Sequence, residues 1–296
     1  MPSMMRSRDK IIFNVIGYTL VTVTAVICLI PFIMLISASF TEENWIAIHG
    51  FGLLPGALSL NAYQSLFRAP TIILNAYKIS IFITIVGTVL GLFINSMTAY
   101  VLSRKDFPWR NRFALYFYFT TLINGGLVST YVIMISWYHM KNSLIALILP
   151  YMVNVFYLIV MRSFISSIPD SLGESAKIDG AGDFMVYIRI ILPLSKPALA
   201  TIGLFIALEY WNDWFNSMLY INNSKLYPLQ YLLYNMLSAQ EAMTRISQIS
   251  GVVVYNLPIM SLKMAMAVVA TGPILLVYPF VQKYFIRGIT VGAVKG

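Results

Sequence analysis

The longest apolar runs of the chain constrain its fold more than any other feature of the sequence. The stretch IIFNVIGYTLVTVTAVICLIPFIMLI, residues 11–36, contains no charged side chain. About 20 apolar residues in a helix cross the hydrocarbon core of a bilayer, and several further runs reach that length. Because hydrocarbon offers the backbone no hydrogen-bond partner, runs without alternating polarity must form helices rather than barrel strands. The sequence therefore predicts an all-α membrane protein whose chain crosses the bilayer several times.

The apolar runs predict six transmembrane helices. The first, residues 11–36, follows three basic residues but is too long for the apolar core of a signal peptide, so we interpret it as a retained span. The other spans are predicted at about 72–102, 113–137, 143–164, 198–221 and 263–285. We treat residues 1–296 as one transmembrane domain with an accessory span at 11–36, core spans over 72–285, a loop at 165–197 and a tail at 286–296.

The distribution of charge predicts the orientation in the membrane. Only 10% of the residues are charged, and the net charge is +9. Basic residues lie at the ends of apolar runs and form no continuous stripe, which argues against a nucleic-acid partner. Placing both termini in the cytoplasm puts 14 of the 20 Lys and Arg residues on the inner side, as the positive-inside rule requires. These are Arg6, Arg8, Lys10, Arg104, Lys105, Arg110, Arg112, Arg162, Lys177, Arg189, Lys196, Lys283, Arg287 and Lys295.

The residue types that bind metals or nucleotides are sparse. His49 and His139 have no cysteine or carboxylate nearby at ligand spacing, and Cys28 is the single cysteine, so we predict no metal site and no intrachain disulfide. No Gly-Lys pair occurs, which excludes a phosphate-binding loop of the G-x-x-x-x-G-K-[ST] type. We therefore expect no cofactor on this chain itself.

The loop at 165–197 carries an unusual concentration of charge in the stretch ESAKIDGAG, residues 174–182. Ser171 and Glu174 have the spacing of a capping box, which predicts a helix starting at Ser171. Gly180 is suited to the left-handed conformation that often ends a helix. A second short helix is predicted from Asp183 to Leu192, ended by Pro193. Two short helices joined by a glycine elbow would thus lie at the inner membrane surface.

The same loop carries a family resemblance. Glu174-Ser175-Ala176, Asp179-Gly180-Ala181, Ile190 and Leu192-Pro193 resemble the coupling-loop signature of permease subunits of bacterial ATP-binding-cassette (ABC) importers. The signature usually reads E-A-A, so Ser175 is a departure, although serine is small enough for the same groove. The motifs NGGL, LILP, MRSF and WNDW, with the tail, resemble the carbohydrate branch, including permeases for large or acidic oligosaccharides such as alginate or pectin fragments. The tail is similar to that of the second permease subunit of maltose transporters.

The resemblance implies a type I importer permease fold and a set of partners. These are a second homologous permease subunit, two cytoplasmic ATPase subunits that hold ATP and Mg, and an extracytoplasmic solute-binding protein. It also implies a location in the bacterial inner membrane and transport of an oligosaccharide. The implied ATPase-coupling residues are Glu174, Ala176, Asp179, Gly180, Ile190, Leu192 and Pro193. A capping glutamate would explain Glu174 equally well without a partner.

A translocation path is predicted from polar residues at membrane depth. Glu209 and Asp213 are four residues apart, so one helix would present both on one face; the alternative is a polar contact between helices. Asn124 and Gly125 interrupt the third predicted span, with close helix packing as the alternative. Trp211 and Asn212 complete the predicted path. Two other functions remain open at this point: an intramembrane enzyme that uses Glu209 and Asp213, and an ion-coupled secondary transporter.

Two further contacts are implied by the resemblance. The outer loop from Asn222 to about Leu262 is too long for a simple hairpin, and we expect it to reach the binding protein. Its candidate residues are Tyr227, Tyr231, Tyr234 and Asn235. The tail is expected at the interface of the ATPase subunits, through Gly288, Gly292, Lys295 and Gly296; a flexible end is the alternative.

Overall fold

The computed structural model describes residues 7–68, 70–250 and 259–293, and the regular elements in these ranges are helical. The only extended pairing among them is an isolated bridge between Thr41 and Leu58, so the all-α prediction is confirmed. The α-helices are α1 Ser7–Ser39, α2 Glu43–His49, α3 Asn61–Leu66, α4 Pro70–Ser103, α5 Arg110–Leu122, α6 Gly126–Val132, α7 Ile145–Ile148, α8 Val155–Ile165, α9 Asp170–Ile178, α10 Asp183–Val186, α11 Leu192–Leu194, α12 Lys196–Asn212, α13 Phe215–Tyr220, α14 Leu229–Ser250 and α15 Ile259–Ala293. Shorter turns add the π-helical segments Ile133–Trp137 and Tyr187–Ile191 and the 3₁₀ segments Leu149–Tyr151 and Ser224–Leu226.

Within the described ranges, three helices are long and apolar enough to cross a membrane, namely Lys10–Ser39, Pro70–Ser103 and Ile259–Leu276. Three bent helix pairs raise the number to as many as six if each pair counts as one span. The pairs are Arg110–Leu122 with Gly126–Trp137, bent by 110°, Ile145–Tyr151 with Val155–Ile165, bent by 53°, and Asp183–Leu194 with Lys196–Asn212, bent by 83°. The spans predicted as continuous at 113–137 and 143–164 are therefore broken helices.

The break in the third predicted span has a local cause. Gly126 has a φ of +81°, which favours glycine, and its amide donates to Asn124 Oδ1 over 2.9 Å. An added Cβ on Gly126 would meet no atom within 4 Å, and one on Gly125 would meet only Ser129, at 3.9 Å. Packing among the described residues therefore does not explain these glycines, and the positive φ of the turn explains Gly126 alone.

The structure divides into two compact units, the first formed by residues 1–70 and 236–273. In this unit the apolar stretch of α1 has no buried residue, which leaves its surface to surrounding lipid or protein. The Glu43 carboxylate at the start of α2 accepts hydrogen bonds from the amides of Met260 and Ser261, at 2.8 and 2.9 Å. These amides belong to the first turn of α15, so Glu43 caps a helix that follows it by more than 200 residues.

The second unit, residues 71–235 and 274–296, contains the buried core around α4 and α12. Gly87 of α4 lies against the Tyr210 ring, where a Cβ would come within 2.4 Å. Asn95, fully buried on the same helix, donates to the carbonyl of Met152 over 2.9 Å and accepts from the Asn154 amide over 3.3 Å. It thereby satisfies backbone groups that the break before α8 leaves without helical partners.

Candidate coupling and translocation sites

The loop that carries the charged stretch forms two helices around a glycine elbow, but the first helix starts differently from the prediction. Helix α9 begins at Asp170, one residue earlier than predicted, with Pro169 as its N-cap and no side-chain capping bond. The predicted Ser171–Glu174 capping box is therefore wrong, because both residues already lie inside the helix. Gly180 has a φ of +84°, so the predicted left-handed elbow is present.

The second helix does not end at Pro193 as predicted. Helix α10 continues through the π-helical segment Tyr187–Ile191 into α11, which contains Pro193, and α12 begins at Lys196. A proline ring normally clashes with the carbonyl four residues earlier, here that of Arg189. The wider π-helical turn before Pro193 relieves that crowding. The direction changes only at Ser195, where the two helix segments are bent by 83°.

Three of the loop's charged residues, Asp170, Lys177 and Asp183, are paired within the chain, and the last two belong to one group. Arg104, just after α4, forms ion pairs with both Asp106 and Asp183. Lys177 of α9 completes the group, with its Nζ 3.0 Å from Asp183 Oδ1 and 3.3 Å from Asp106 Oδ2. We call Arg104, Asp106, Lys177 and Asp183 the charge clasp. It joins the loop after α4 to both helices of the elbow, a link that no sequence pattern indicated.

The ion pairs of the clasp favour the charged form of each member, so they lower the pKa values of the carboxyl groups and raise that of the lysine. Hydrogen bonding to Arg104 holds the pKa of Asp106 well below its usual range, and hydrogen bonding to Lys177 and then Arg104 lowers the pKa of Asp183. Hydrogen bonding to Asp183 raises the pKa of Lys177. Because the carboxyl pKa values are lowered on folding, the stabilisation is complete above the ordinary carboxyl pKa of about 4 and is lost as the pH falls further.

We expect the clasp to contribute a measurable interaction energy. A double-mutant cycle of Arg104→Gln and Asp183→Asn, followed by unfolding in mild detergent, should give a coupling of about 1 kcal/mol at pH 7 that decreases as the pH falls below about 4. Arg104 has an 18% exposed side chain, whereas the separate pair of Lys105 and Asp170 is 76% and 53% exposed. The Lys105→Gln control should have no measurable effect, and an equal effect would contradict a special role of the clasp.

The remaining surface of the elbow is open. Glu174 and Asp179 are exposed, and neither side chain has a hydrogen bond or ion pair with the described residues. Ile178, at the end of α9, is 87% exposed. Ala176, Ile190 and Leu192 are half-buried and pack against the core of the second unit, while Pro193 is exposed. The predicted coupling residues therefore fall into an exposed group that is available to a partner and a group that anchors the loop.

The two carboxylates of the predicted translocation path do not share a helix face. Helix α12 ends at Asn212, and Asp213 adopts an extended ψ of 104°. Its Oδ1 accepts from the Asn216 amide over 3.1 Å, which caps α13 and breaks the predicted span at 198–221. Glu209 Oε1 accepts from the Tyr157 hydroxyl over 2.8 Å. Glu209 Oε2 is buried and has no partner among the described residues.

The other predicted path residues lie in different environments. Trp211 is buried, with its ring 6.4 Å from that of Tyr77. Asn212 is exposed, and its Oδ1 accepts from Gln230 Nε2 over 3.4 Å. In the described part of the chain, no hydrogen bond or ring contact joins Asn124 or Gly125 to either residue. Among the described residues, the predicted path residues of α12 and Asp213 therefore lie near one another in the chain, whereas Asn124 and Gly125 have no such contact with them.

The tyrosines of the outer loop form one aromatic row. Tyr227 packs on Tyr231 at 4.7 Å, and Tyr234 stacks on Trp214 at 4.4 Å. Tyr231 is buried and supports the row, whereas Tyr234 and Trp214 are exposed and Asn235 is half-buried. The sequence predicted Tyr234 as a contact residue, but no sequence pattern indicated that its ring stacks on that of Trp214.

The tail residues are only partly described. Gly288 and Gly292 lie in α15, which runs to Ala293, so the predicted tail from 286 begins as helix. Lys295 and Gly296 lie outside the described residues.

Comparisons with known proteins show the family to which a helical membrane protein with this loop belongs. Residues 87–291 match the family of inner membrane components of binding-protein-dependent transport systems. The chain belongs to this family and is a permease subunit of the ABC importer type.

Individual relatives cover nearly the whole chain. The polygalacturonan/rhamnogalacturonan transport system permease protein YtcP of Bacillus subtilis is 41% identical over 96% of this chain and 99% of its own length. The trehalose/maltose transport system permease protein MalG of Thermococcus litoralis is 30% identical over 97% of this chain and 98% of its own. A solved bacterial ABC transporter involved in the import of the acidic polysaccharide alginate has a chain with a TM-score of 0.78 and 27% identity, covering 96% of this chain and 100% of that one.

Proposed function

We propose that this chain is one of two homologous membrane subunits of an importer that carries an oligosaccharide across the bacterial cytoplasmic membrane. The observation that carries the proposal is the elbow, where Glu174, Asp179 and Ile178 are exposed outside the apolar spans. An exposed apolar residue beside unpaired carboxylates is typical of a surface that a protein partner covers. Two cytoplasmic ATPase subunits would bind ATP and Mg, because this chain carries no phosphate loop.

The orientation and the remaining partners follow from the same proposal. Both termini lie in the cytoplasm, and an extracytoplasmic solute-binding protein delivers the substrate to the opposite side. The exposed rings of Tyr234 and Trp214 are suited to that contact, together with Tyr227 and Asn235. On the cytoplasmic side, Gly288, Gly292, Lys295 and Gly296 lie along the ATPase interface. The chain performs no catalysis by itself.

The substrate class is supported by the relatives and by the chemistry of the second unit. The names of similar proteins refer to polygalacturonan and rhamnogalacturonan and to alginate. Asn212, Trp214 and Tyr234 offer an amide and aromatic faces, groups that bind sugar hydroxyls and the apolar sides of sugar rings. We propose an acidic oligosaccharide as the first substrate to test.

The alternative functions are less well supported. An intramembrane enzyme would require Glu209 and Asp213 to act together, but Tyr157 hydrogen-bonds Glu209 while Asp213 caps α13. An ion-coupled secondary transporter has no need for the exposed surface of the elbow.

The proposal is tested by transport in a reconstituted complex. Glu174→Gln removes the exposed charge without changing the side-chain shape, and we expect it to reduce ATPase affinity and uptake about tenfold. The neighbouring Ser175→Ala change restores the usual family residue and should leave both intact. Uptake is compared for galacturonate, alginate and neutral malto-oligosaccharides. Full ATPase binding by the Glu174→Gln variant would contradict the coupling role, and failure to import any of the sugars would contradict the substrate class.

A further inference from the structure

A cavity of about 1020 Å³ lies entirely within the first unit. Its lining comes from the start of α2, the segment around α3, one side of α14 and the first turn of α15. The membrane-length helix α1 ends at Ser39, just before α2, and the second one, α15, begins at Ile259. The cavity therefore lies at one end of both spans. With both termini in the cytoplasm, as proposed above, this end is extracytoplasmic.

One wall of this cavity is a polar stripe along α3 and the turn that follows it. Four lining residues have the spacing i, i+3, i+4 and i+7, which places them on one helix face: Asn61, Gln64, Ser65 and Arg68. The buried residues Ala62 and Leu66 occupy another face of the same helix. None of the four polar side chains has a hydrogen bond or ion pair with the described residues. The stripe is therefore a set of donors and acceptors available to a ligand.

The wall that α14 contributes is mainly apolar. Its lining residues have the same helical spacing: Met236, Ala239, Gln240 and Met243. Methionine is flexible and polarisable, so its side chain adapts to the shape of a ligand. A sugar ring carries hydroxyl groups at its edge and C–H groups on its faces. A cavity with one wall of amides and hydroxyls and one wall of methionine and alanine is complementary to both.

Contacts outside the polar stripe hold the walls of the cavity in place. The Glu43 cap joins α2 to the first turn of α15, and Lys263 Nζ lies 2.7 Å from Glu241 Oε1, which joins α15 to α14. The hydroxyl groups of Ser39 and Tyr63 are 2.9 Å apart and join α1 to α3. None of these contacts uses a side chain of the stripe. The cavity is therefore formed before a ligand binds, which lowers the cost of binding.

The charges that line the cavity indicate which ligand it prefers. Both oxygens of Glu43 are used by the amides at the start of α15, and Glu42 Oε1 accepts from Asn44 Nδ2 over 3.4 Å. Arg68 is exposed and has no ion pair with the described residues. Its planar guanidinium group can bind a carboxylate through two parallel N–H groups. The cavity thus offers an arginine for a carboxylate beside amides for hydroxyl groups.

We propose that this cavity binds a uronate unit of the transported oligosaccharide on the extracytoplasmic side, an inference that rests on the proposed function. Arg68 binds the carboxylate, Asn61 and Gln64 bind hydroxyl groups, and the methionine wall covers an apolar face of the ring. The volume is near the upper limit of the about 300–1,000 Å³ typical of small-molecule sites, so neighbouring sugar units fit as well. The lining residues all belong to the first unit, whereas Trp214 and Tyr234 belong to the second.

The test measures sugar binding to the full-length chain purified with its co-purifying subunits, without the solute-binding protein. Isothermal titration calorimetry compares trigalacturonate with neutral galactotriose, and trigalacturonate should bind more tightly. Arg68→Gln should weaken trigalacturonate binding about tenfold, whereas Arg68→Lys, which keeps the charge but not the paired donors, should weaken it less. The matched control is Arg245→Gln, because Arg245 is exposed in the same unit and does not line the cavity; its affinity should be unchanged. Melting temperatures of all variants should agree, since both arginines are exposed.

Other outcomes would overturn the proposal. Equal binding of the neutral and acidic trisaccharides would remove the role of Arg68. Binding that is lost in a Tyr234→Ala variant but unchanged by Arg68→Gln would assign the sugar to the aromatic row. If no sugar binds but Arg68→Gln weakens capture of the solute-binding protein, the cavity is a protein contact. Uptake by the reconstituted complex separates the two proposals: import of uronates without binding in the cavity rejects this inference alone, and import of no sugar rejects the proposed function.

Discussion

Replacing Gly180 with valine is expected to lower transport by about tenfold while the chain still inserts into the membrane. Gly180 has a φ of +84°, and a side chain there would meet no atom within 4 Å. The cost is therefore backbone strain alone, about 1–2 kcal/mol for an ordinary residue in the left-handed region. The elbow relieves that strain by changing its angle, which misplaces α10 relative to α9.

Two further variants make this prediction specific. Gly180→Asn should retain most of the transport, because asparagine tolerates the left-handed conformation. Gly182→Ser is the matched control: Gly182 has a φ of −70°, equally open surroundings and an N-cap position that serine favours. Uptake and ATP hydrolysis are measured on the same reconstituted complexes. Equal transport by the valine and asparagine variants would show that the elbow angle does not matter.

Replacing Gly87 with alanine is expected to destabilise the second unit by about 1–3 kcal/mol. The new Cβ would lie 2.4 Å from the Tyr210 ring. That ring is held in place, because the Tyr210 hydroxyl donates to the Ile148 carbonyl over 2.7 Å and the ring packs edge-on against Tyr151 at 5.5 Å. Small residues permit such close helix approach, and here α4 and α12 depend on it.

Gly91 provides the control one turn further along the same helix. A Cβ there would lie 3.5 Å from Ile206 Cγ2, an ordinary contact distance. Gly91→Ala should therefore be neutral or stabilising by up to about 1 kcal/mol, because alanine is the better helix former. Thermal unfolding in detergent compares the two variants directly. Similar melting temperatures for both would mean that the helices can separate without cost.

The structure also changes the interpretation of the charged stretch that made the loop conspicuous. Charge in an apolar chain predicts a partner; the side chains of Glu174 and Asp179 have no hydrogen bond or ion pair with the described residues, and for them this stays a prediction. For Lys177 and Asp183 the partners are internal, because Asp106 and Arg104 contact them from a loop that precedes them by 71 and 79 residues. Sequence spacing does not encode contacts of this range, so a charge count overestimates the surface left for a partner.

The sequence by itself determined the class, the approximate positions of the apolar runs and the location of the elbow. These depend on local physics: the length of an apolar run against the bilayer thickness, and the freedom of glycine at a positive φ. The coupling-loop motif at Glu174–Pro193 is local in the same sense and was sufficient to indicate the family.

Only the tertiary structure decided where those helices break and which polar groups meet. The predicted face shared by Glu209 and Asp213 is absent because Asp213 caps a new helix, a choice that depends on competing hydrogen bonds rather than on spacing. The predicted capping box at Ser171 is absent because α9 begins one residue earlier, after Pro169. The clasp and the Glu43 cap on α15 join positions distant in sequence. Such contacts are set by packing of whole helices, and no local pattern specifies them.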